Sequence, residues 1–324
     1  MKKLRTAAIR MRPTSRASKS ILTSGETLVR PSLRRMNQAG HRSSSKPVAV
    51  SLVLGGIVSV QVGAAVATTL FDELGPAGTV LVRVLFSAVV LIAIWRPALS
   101  VLRGERARDV ALFGLSLAAM NFSFYEALDR IPLGIAVTLE FVGPLGVALA
   151  ASRRATDLLW VALAAAGIVL LAPASGGGLD ELGVFFALVA GGFWAAYIVL
   201  SARVGRSFEG GTGLALAMVV ATVLLVPVGV PAAGAELFEV DLLAAGLAVA
   251  MLSSAIPYSL ELEALRLLPQ GTFGVLMSLE PAVAATVGYV GLEQDLATTE
   301  VLAIGLVVVA SAGALRSAPP TAEA

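Results

Sequence analysis

The chain has no cysteine, which excludes disulfide bonds and thiolate metal sites. It has a single histidine, His41, outside every apolar stretch, so a nucleophile elbow would lack its histidine partner. No glycine-rich phosphate loop occurs, which argues against an ATP-driven pump. No cofactor and no metal is therefore expected. Charge is also scarce: Asp, Glu, Lys and Arg make up 14% of the 324 residues, while apolar residues reach 57% and the mean hydropathy is +0.86. Soluble domains carry about 25% charged residues, so this composition belongs in a lipid bilayer.

The charges that remain are unevenly placed. Residues 1–46 hold twelve Lys and Arg against one acid, Glu26, and the rest of the chain holds twelve cations and 21 acids. The net charge of +2 and the pI near 9.1 thus originate in the tail, and no nucleic-acid partner is expected. With no apolar run before residue 48, segment 1–47 is neither a secretory signal nor a folded domain, and disorder is expected there. Met36 is an alternative start, and contact with anionic lipid is the other use of such a segment.

From Val48 onward ten apolar segments follow, each near the ~20 residues that span a hydrocarbon core. They run roughly over 48–70, 77–95, 109–128, 133–151, 157–173, 180–201, 212–232, 242–262, 271–291 and 298–315. Their connections alternate in sign. Arg96, Arg103, Arg106, Arg108, Arg153, Arg154, Arg203, Arg206, Arg266 and Arg316 fall on one side, and most of the acids fall on the other. By the positive-inside rule the arginine side, with both termini, is cytoplasmic.

The chain also repeats. Under a shift of 137 residues EALDRIPLG at 126–134 becomes EALRLLPQG at 263–271, and Leu139, Pro144 and Ala148 fall on Leu276, Pro281 and Ala285. This gives repeat 1 at 48–173, repeat 2 at 180–315 and a short tail at 316–324. Five spans is an odd number, so the second copy enters the membrane inverted. The expected fold is an all-α integral membrane protein of ten helices in two inverted five-helix repeats, a recurring plan for secondary transporters. Gly55, Ser59 and Gly63, and Gly183, Ala187, Gly191 and Ala195, form small-residue strips on which a neighbouring helix can lie closely.

Two carboxylates stand inside apolar helices: Glu140 four residues before Pro144, and Glu280 directly before Pro281. Under the shift Glu140 maps to Met277, one turn from Glu280. A charge at mid-bilayer costs ~2.5 to 3.5 kcal/mol, so such a residue faces a polar cavity or a partner. One use is to exchange a proton or hold an ammonium group; the other is a hydrogen bond between helices. Pro144 and Pro281 cannot donate to the carbonyls of Glu140 and Met277, and Pro257 frees that of Ser253. Kinks at all three are expected. Arg83 either snorkels to the outer surface or pairs with a buried acid or a substrate carboxylate. Glu126 and Glu263 read as charges at helix ends, and Glu261, one turn from Tyr258, stays open between that reading and the site. Asn121 maps onto Tyr258 and, at a shift of 136 that aligns Gly55–Gly56 with Gly191–Gly192, Gln61 maps onto Tyr197; with Tyr125 and Trp194 these polar and aromatic groups would line a pocket for a small polar solute. A carrier, an intramembrane enzyme using Glu140 and Glu280, and a structural or receptor role are the classes left.

The segments GLSLAAMNFSFYEAL at 114–128, PLGIAVTLEFVGPL at 132–145, WAAYIVLSARVG at 194–205, IPYSLELEAL at 256–265 and GTFGVLMSLEPA at 271–282 resemble the drug/metabolite transporter superfamily. More narrowly they are similar to the EamA-type inner-membrane threonine and homoserine exporters. The resemblance covers about residues 48–315. It implies export of small amino acids across the inner membrane, coupled to a proton gradient, with export of another metabolite or a drug as the alternative. A homodimer is a further option. By motif, Arg83, Asn121, Glu140, Tyr258, Glu261 and Glu280 match positions with the same residue in that branch.

Overall fold

The computed structural model describes residues 30–98, 103–150, 157–171, 179–268 and 270–317. Residues 1–29 and 318–324, Arg153 and Arg154, and the side chains of Tyr258 and Arg266 lie outside that description. The chain divides into two units, Met1–Ser45 and Lys46–Ala324. Among the described residues all regular structure is helical.

In order the helices are α1 Arg30–Thr68, α2 Phe71–Trp95, α3 Glu105–Leu128, α4 Leu133–Glu140, α5 Val142–Ala150, α6 Asp157–Leu171, α7 Glu181–Ser207 and α8 Thr212–Ala233. They continue with α9 Val240–Ala250, α10 Ile256–Leu267, α11 Gln270–Met277, α12 Glu280–Gly291 and α13 Thr298–Ser317. Helical backbone begins at Arg30, upstream of the boundary at 47 to which disorder was expected. Pro31 in the first turn and the good helix formers Leu33, Arg34, Arg35, Met36 and Gln38 account for this.

Among the described residues eight stretches are long and apolar enough to cross a membrane: Pro47–Thr68, Phe71–Trp95, Glu105–Leu128, Leu133–Ala150, Glu181–Ser207, Thr212–Phe238, Val240–Glu261 and Thr272–Gly291. Two shorter apolar helices, Leu158–Leu170 and Thr298–Ala314, lie where the fifth and tenth segments were expected. Val89, Ile94, Val169, Val223 and Val290 are all more than half exposed. Such an apolar exterior is a liability in water and a requirement in lipid. This is a multi-pass membrane protein.

Three helices are interrupted, each for a reason legible in its sequence. Between α4 and α5 the chain turns at Phe141, because Pro144 has no N–H for the carbonyl of Glu140. Between α11 and α12 it turns at Ser278–Leu279, because Pro281 offers none to Met277. Before Pro257 the helix widens into a π turn over Met251–Ala255, with Ile256 N–H reaching back to Met251. The carbonyl of Leu252 is met there by Ser59 Oγ of α1 at 2.7 Å. A fourth bend was not foreseen: Gly75, at φ 65, and Pro76 redirect the start of α2.

The small-residue strip of α7 crosses the first interruption. Gly183, Ala187 and Gly191 are buried, and a Cβ at Gly191 would lie 2.6 Å from the carbonyl oxygen of Glu140. Gly192, next to it, has nothing within 4 Å. The two neighbours therefore separate packing from helix propensity. Gly191→Leu is expected to lower stability by about 1 to 3 kcal/mol through overpacking, whereas Gly192→Leu should be neutral or slightly stabilising. Thermal unfolding in detergent reads both; equal melting temperatures would show that the crossing is not tight.

Candidate functional site

A cavity of about 270 Å³ lies among α1, α2, α3, α4, α7, α10, α11, α12 and the π turn. Sites for drug-sized ligands run from ~300 to 1,000 Å³, so this one suits a smaller solute. The structure brings nine of the sequence-selected residues to its wall: Gln61, Arg83, Asn121, Tyr125, Glu140, Trp194, Tyr197, Glu261 and Glu280. They come from both repeats. The backbone of Tyr258 lies one turn from Glu261 in α10.

Arg83 does not snorkel. Its Nη1 donates to Asn121 Oδ1 at 2.6 Å, and its guanidinium lies 5.5 Å from the centroid of the Tyr125 ring. Asn121 is fixed in turn, since its Nδ2 donates to the Leu117 carbonyl at 2.8 Å. Among the described residues no carboxylate is ion-paired with Arg83. Its fork is thus held by a neutral amide and an aromatic face, with its charge uncompensated by contact.

The carboxylates are distributed around it. Glu140, last residue of α4, and Glu280, first of α12, are 8% and 6% exposed, so both are withdrawn from water at the broken ends of their helices. Glu261 is half-buried on α10. Among the described residues these acids are not gathered closely enough to cage a metal ion. Two more wall groups lack partners: Gln61 Oε1 and Tyr125 Oη are buried with no hydrogen bond from protein. Buried polar atoms are almost always satisfied, so these two residues bring hydrogen-bonding capacity to the cavity wall that the protein leaves unused.

Comparison with known proteins fits this arrangement. Over 269 residues the chain is 41% identical to the threonine/homoserine exporter RhtA of Salmonella typhimurium strain LT2, covering 82% of this chain and 90% of that relative. The threonine/homoserine exporter RhtA of Escherichia coli strain K12 is 40% identical over the same shares. The EamA-like transporter family matches residues 181–316. The chain belongs to the EamA-like transporter family. A crystal structure of a protein 21% identical, covering 83% of this chain and 97% of its own at a TM-score of 0.55, shares the fold of this EamA-like transporter.

Other charges of the EamA-like transporter lie away from the cavity. Glu126 is bound to Arg130, whose Nη1 is 2.8 Å from Glu126 Oε2 and also meets the Glu126 carbonyl, and Glu263 is exposed. Both agree with the reading of helix-end charges. Residues that sequence reasoning did not select also line the wall, notably Ser253, Met277 and Phe124. Met277 is the repeat counterpart of Glu140, a signal that its apolar side chain masks. Ser253 could have been found from Pro257, whose missing donor opens the helix beside it.

Proposed function

We propose that this chain exports small amino acids of the threonine and homoserine type from the cytoplasm across the inner membrane, as a secondary carrier that takes protons in exchange. The observation that carries the reading is a cavity with buried carboxylates and a guanidinium that, among the described residues, forms no ion pair, in a chain similar over most of its length to exporters of those solutes. A zwitterion needs an anion for its ammonium group and a donor fork for its carboxylate. Arg83 supplies the fork, and Glu140 or Glu280 the anion. Asn121 has both ends of its amide engaged, so it positions Arg83 rather than binding directly. Proton arrival from outside neutralises a glutamate, loosens its hold on the ammonium group and favours release; deprotonation inside restores the site. An intramembrane enzyme is the less favoured alternative.

The reading includes ten spans in two inverted repeats, 48–173 and 180–315, with both termini inside. Helix pairing supports it: α2 packs on α8, α4 on α12 and α6 on α13, and each pair joins the two counterparts of the repeat. The α3 with α7 contact has its swapped equivalent in α1 with α10, where Ala49, Val53 and Ile57 pack on Ala264 and Leu268. A pseudo-two-fold axis produces this pattern. The family match to 181–316 likewise coincides with one repeat. A homodimer is part of the proposal only as an option for the lipid-facing surface.

Two measurements test this. In everted vesicles, labelled threonine and homoserine are expected to accumulate under a proton gradient while a cationic dye does not; dye uptake without amino-acid uptake would point to a drug exporter. For topology, the chain is naturally free of cysteine. Glu181→Cys should react with an impermeant maleimide in intact cells and Arg206→Cys should not, and the reverse labelling would invert the orientation.

A further inference from the structure

A second cavity of about 170 Å³ adjoins the first. Pro144 and Leu145 of α5, Ile198 of α7 and Ser311 of α13 contribute to its lining, and Trp194 and Met277 line both cavities. These two side chains are therefore the partition between a polar chamber and an apolar one. Trp194 is held in place, edge-on to Phe141 with ring centroids 5.3 Å apart and an interplanar angle of 88°. Met277 ends α11 just before its interruption and has an unbranched, adaptable side chain. Ser311 of the second chamber has its Oγ buried without a hydrogen-bond partner among the described residues.

We propose that Trp194 and Met277 determine specificity by closing off the second cavity, so that the central site admits a solute with a short side chain and refuses a branched apolar one. This rests on the reading of the central cavity as an amino-acid site. The physical reasoning is one of volume and polarity. A zwitterion held between Arg83 and the glutamates projects its side chain toward the wall opposite Arg83. A hydroxyl-bearing side chain ends among the polar residues of the same chamber, such as Gln61 and Ser253. A leucine side chain needs apolar surroundings in place of those polar residues, and the structure holds an apolar chamber across Trp194 and Met277, which the two cavities share. Trimming the partition joins the chambers without disturbing the groups that hold the ammonium and carboxylate.

The test compares labelled threonine and leucine in everted vesicles for the wild type, Met277→Ala, Trp194→Phe and the double variant Met277→Ala with Ile198→Phe, whose added ring refills the second chamber. Met277→Ala is expected to raise the leucine-to-threonine flux ratio about 10-fold or more, the scale on which a pocket discriminates methylenes. Trp194→Phe should raise it in the same direction, and provides the readout if Met277→Ala does not insert. Ile198→Phe should return the ratio toward the wild-type value. An unchanged ratio in variants that still carry threonine, or a gain that Ile198→Phe leaves intact, overturns this inference alone. Failure of the wild type to carry threonine overturns the amino-acid reading and this inference with it.

Discussion

Glu140→Gln and Glu280→Gln should each abolish transport driven by a pH gradient, reducing flux to the level of empty vesicles. Glutamine keeps the shape of the side chain and removes its capacity to exchange a proton, so the substitution isolates charge from packing. Both glutamates are buried at the wall of one cavity, at the ends of helices interrupted beside a proline. If they bind protons and ammonium alternately, at least one variant keeps solute exchange without a gradient, because a neutral amide mimics one half of the cycle. Counterflow of labelled against unlabelled threonine measures that remainder. Variants that insert normally and keep wild-type flux with the same pH dependence would make both carboxylates structural.

Arg83→Gln should weaken solute binding by about 10- to 100-fold, since a hydrogen bond to a charged group contributes ~1.5 to 3 kcal/mol. Arg83→Lys restores charge but not the planar fork, nor the stacking on Tyr125, and is expected to recover only part of the affinity. The measured quantity is the threonine concentration giving half-maximal flux, at matched amounts of inserted protein. Because Arg83 is held by Asn121 and Tyr125, its loss breaks no carboxylate ion pair among the described residues. A large fall in melting temperature with unchanged half-saturation would assign Arg83 to folding instead.

Much of this site is readable from residues alone, because lipid makes every buried polar group conspicuous. Glu140, Glu280 and Arg83 stand out in apolar runs, and the repeat selects Asn121 and Gln61 by pairing them with tyrosines. What the sequence leaves open is direction. Whether Arg83 points to the surface or inward depends on Asn121 and Tyr125 standing opposite on α3, which is a matter of helix rotation and not of spacing. Apolar wall residues such as Met277 and Phe124 are invisible for the opposite reason: they are indistinguishable in type from lipid-facing neighbours. The bend at Gly75–Pro76 is hidden in the sequence because it lies just ahead of the apolar run at 77–95.

The three helix interruptions have a mechanical consequence. A helix resists bending because each turn is tied to the next, and stiffness falls wherever those ties are missing. Here the turns that a proline deprives of one tie, at Phe141, at Ser278–Leu279 and at Met251–Ala255, all border the same cavity, through Glu140, Met277, Glu280 and Ser253. Flexure of these rods is thus concentrated at the level of the site, and a small change in angle there alters the chamber directly, with the outer half-helices moving as rigid levers.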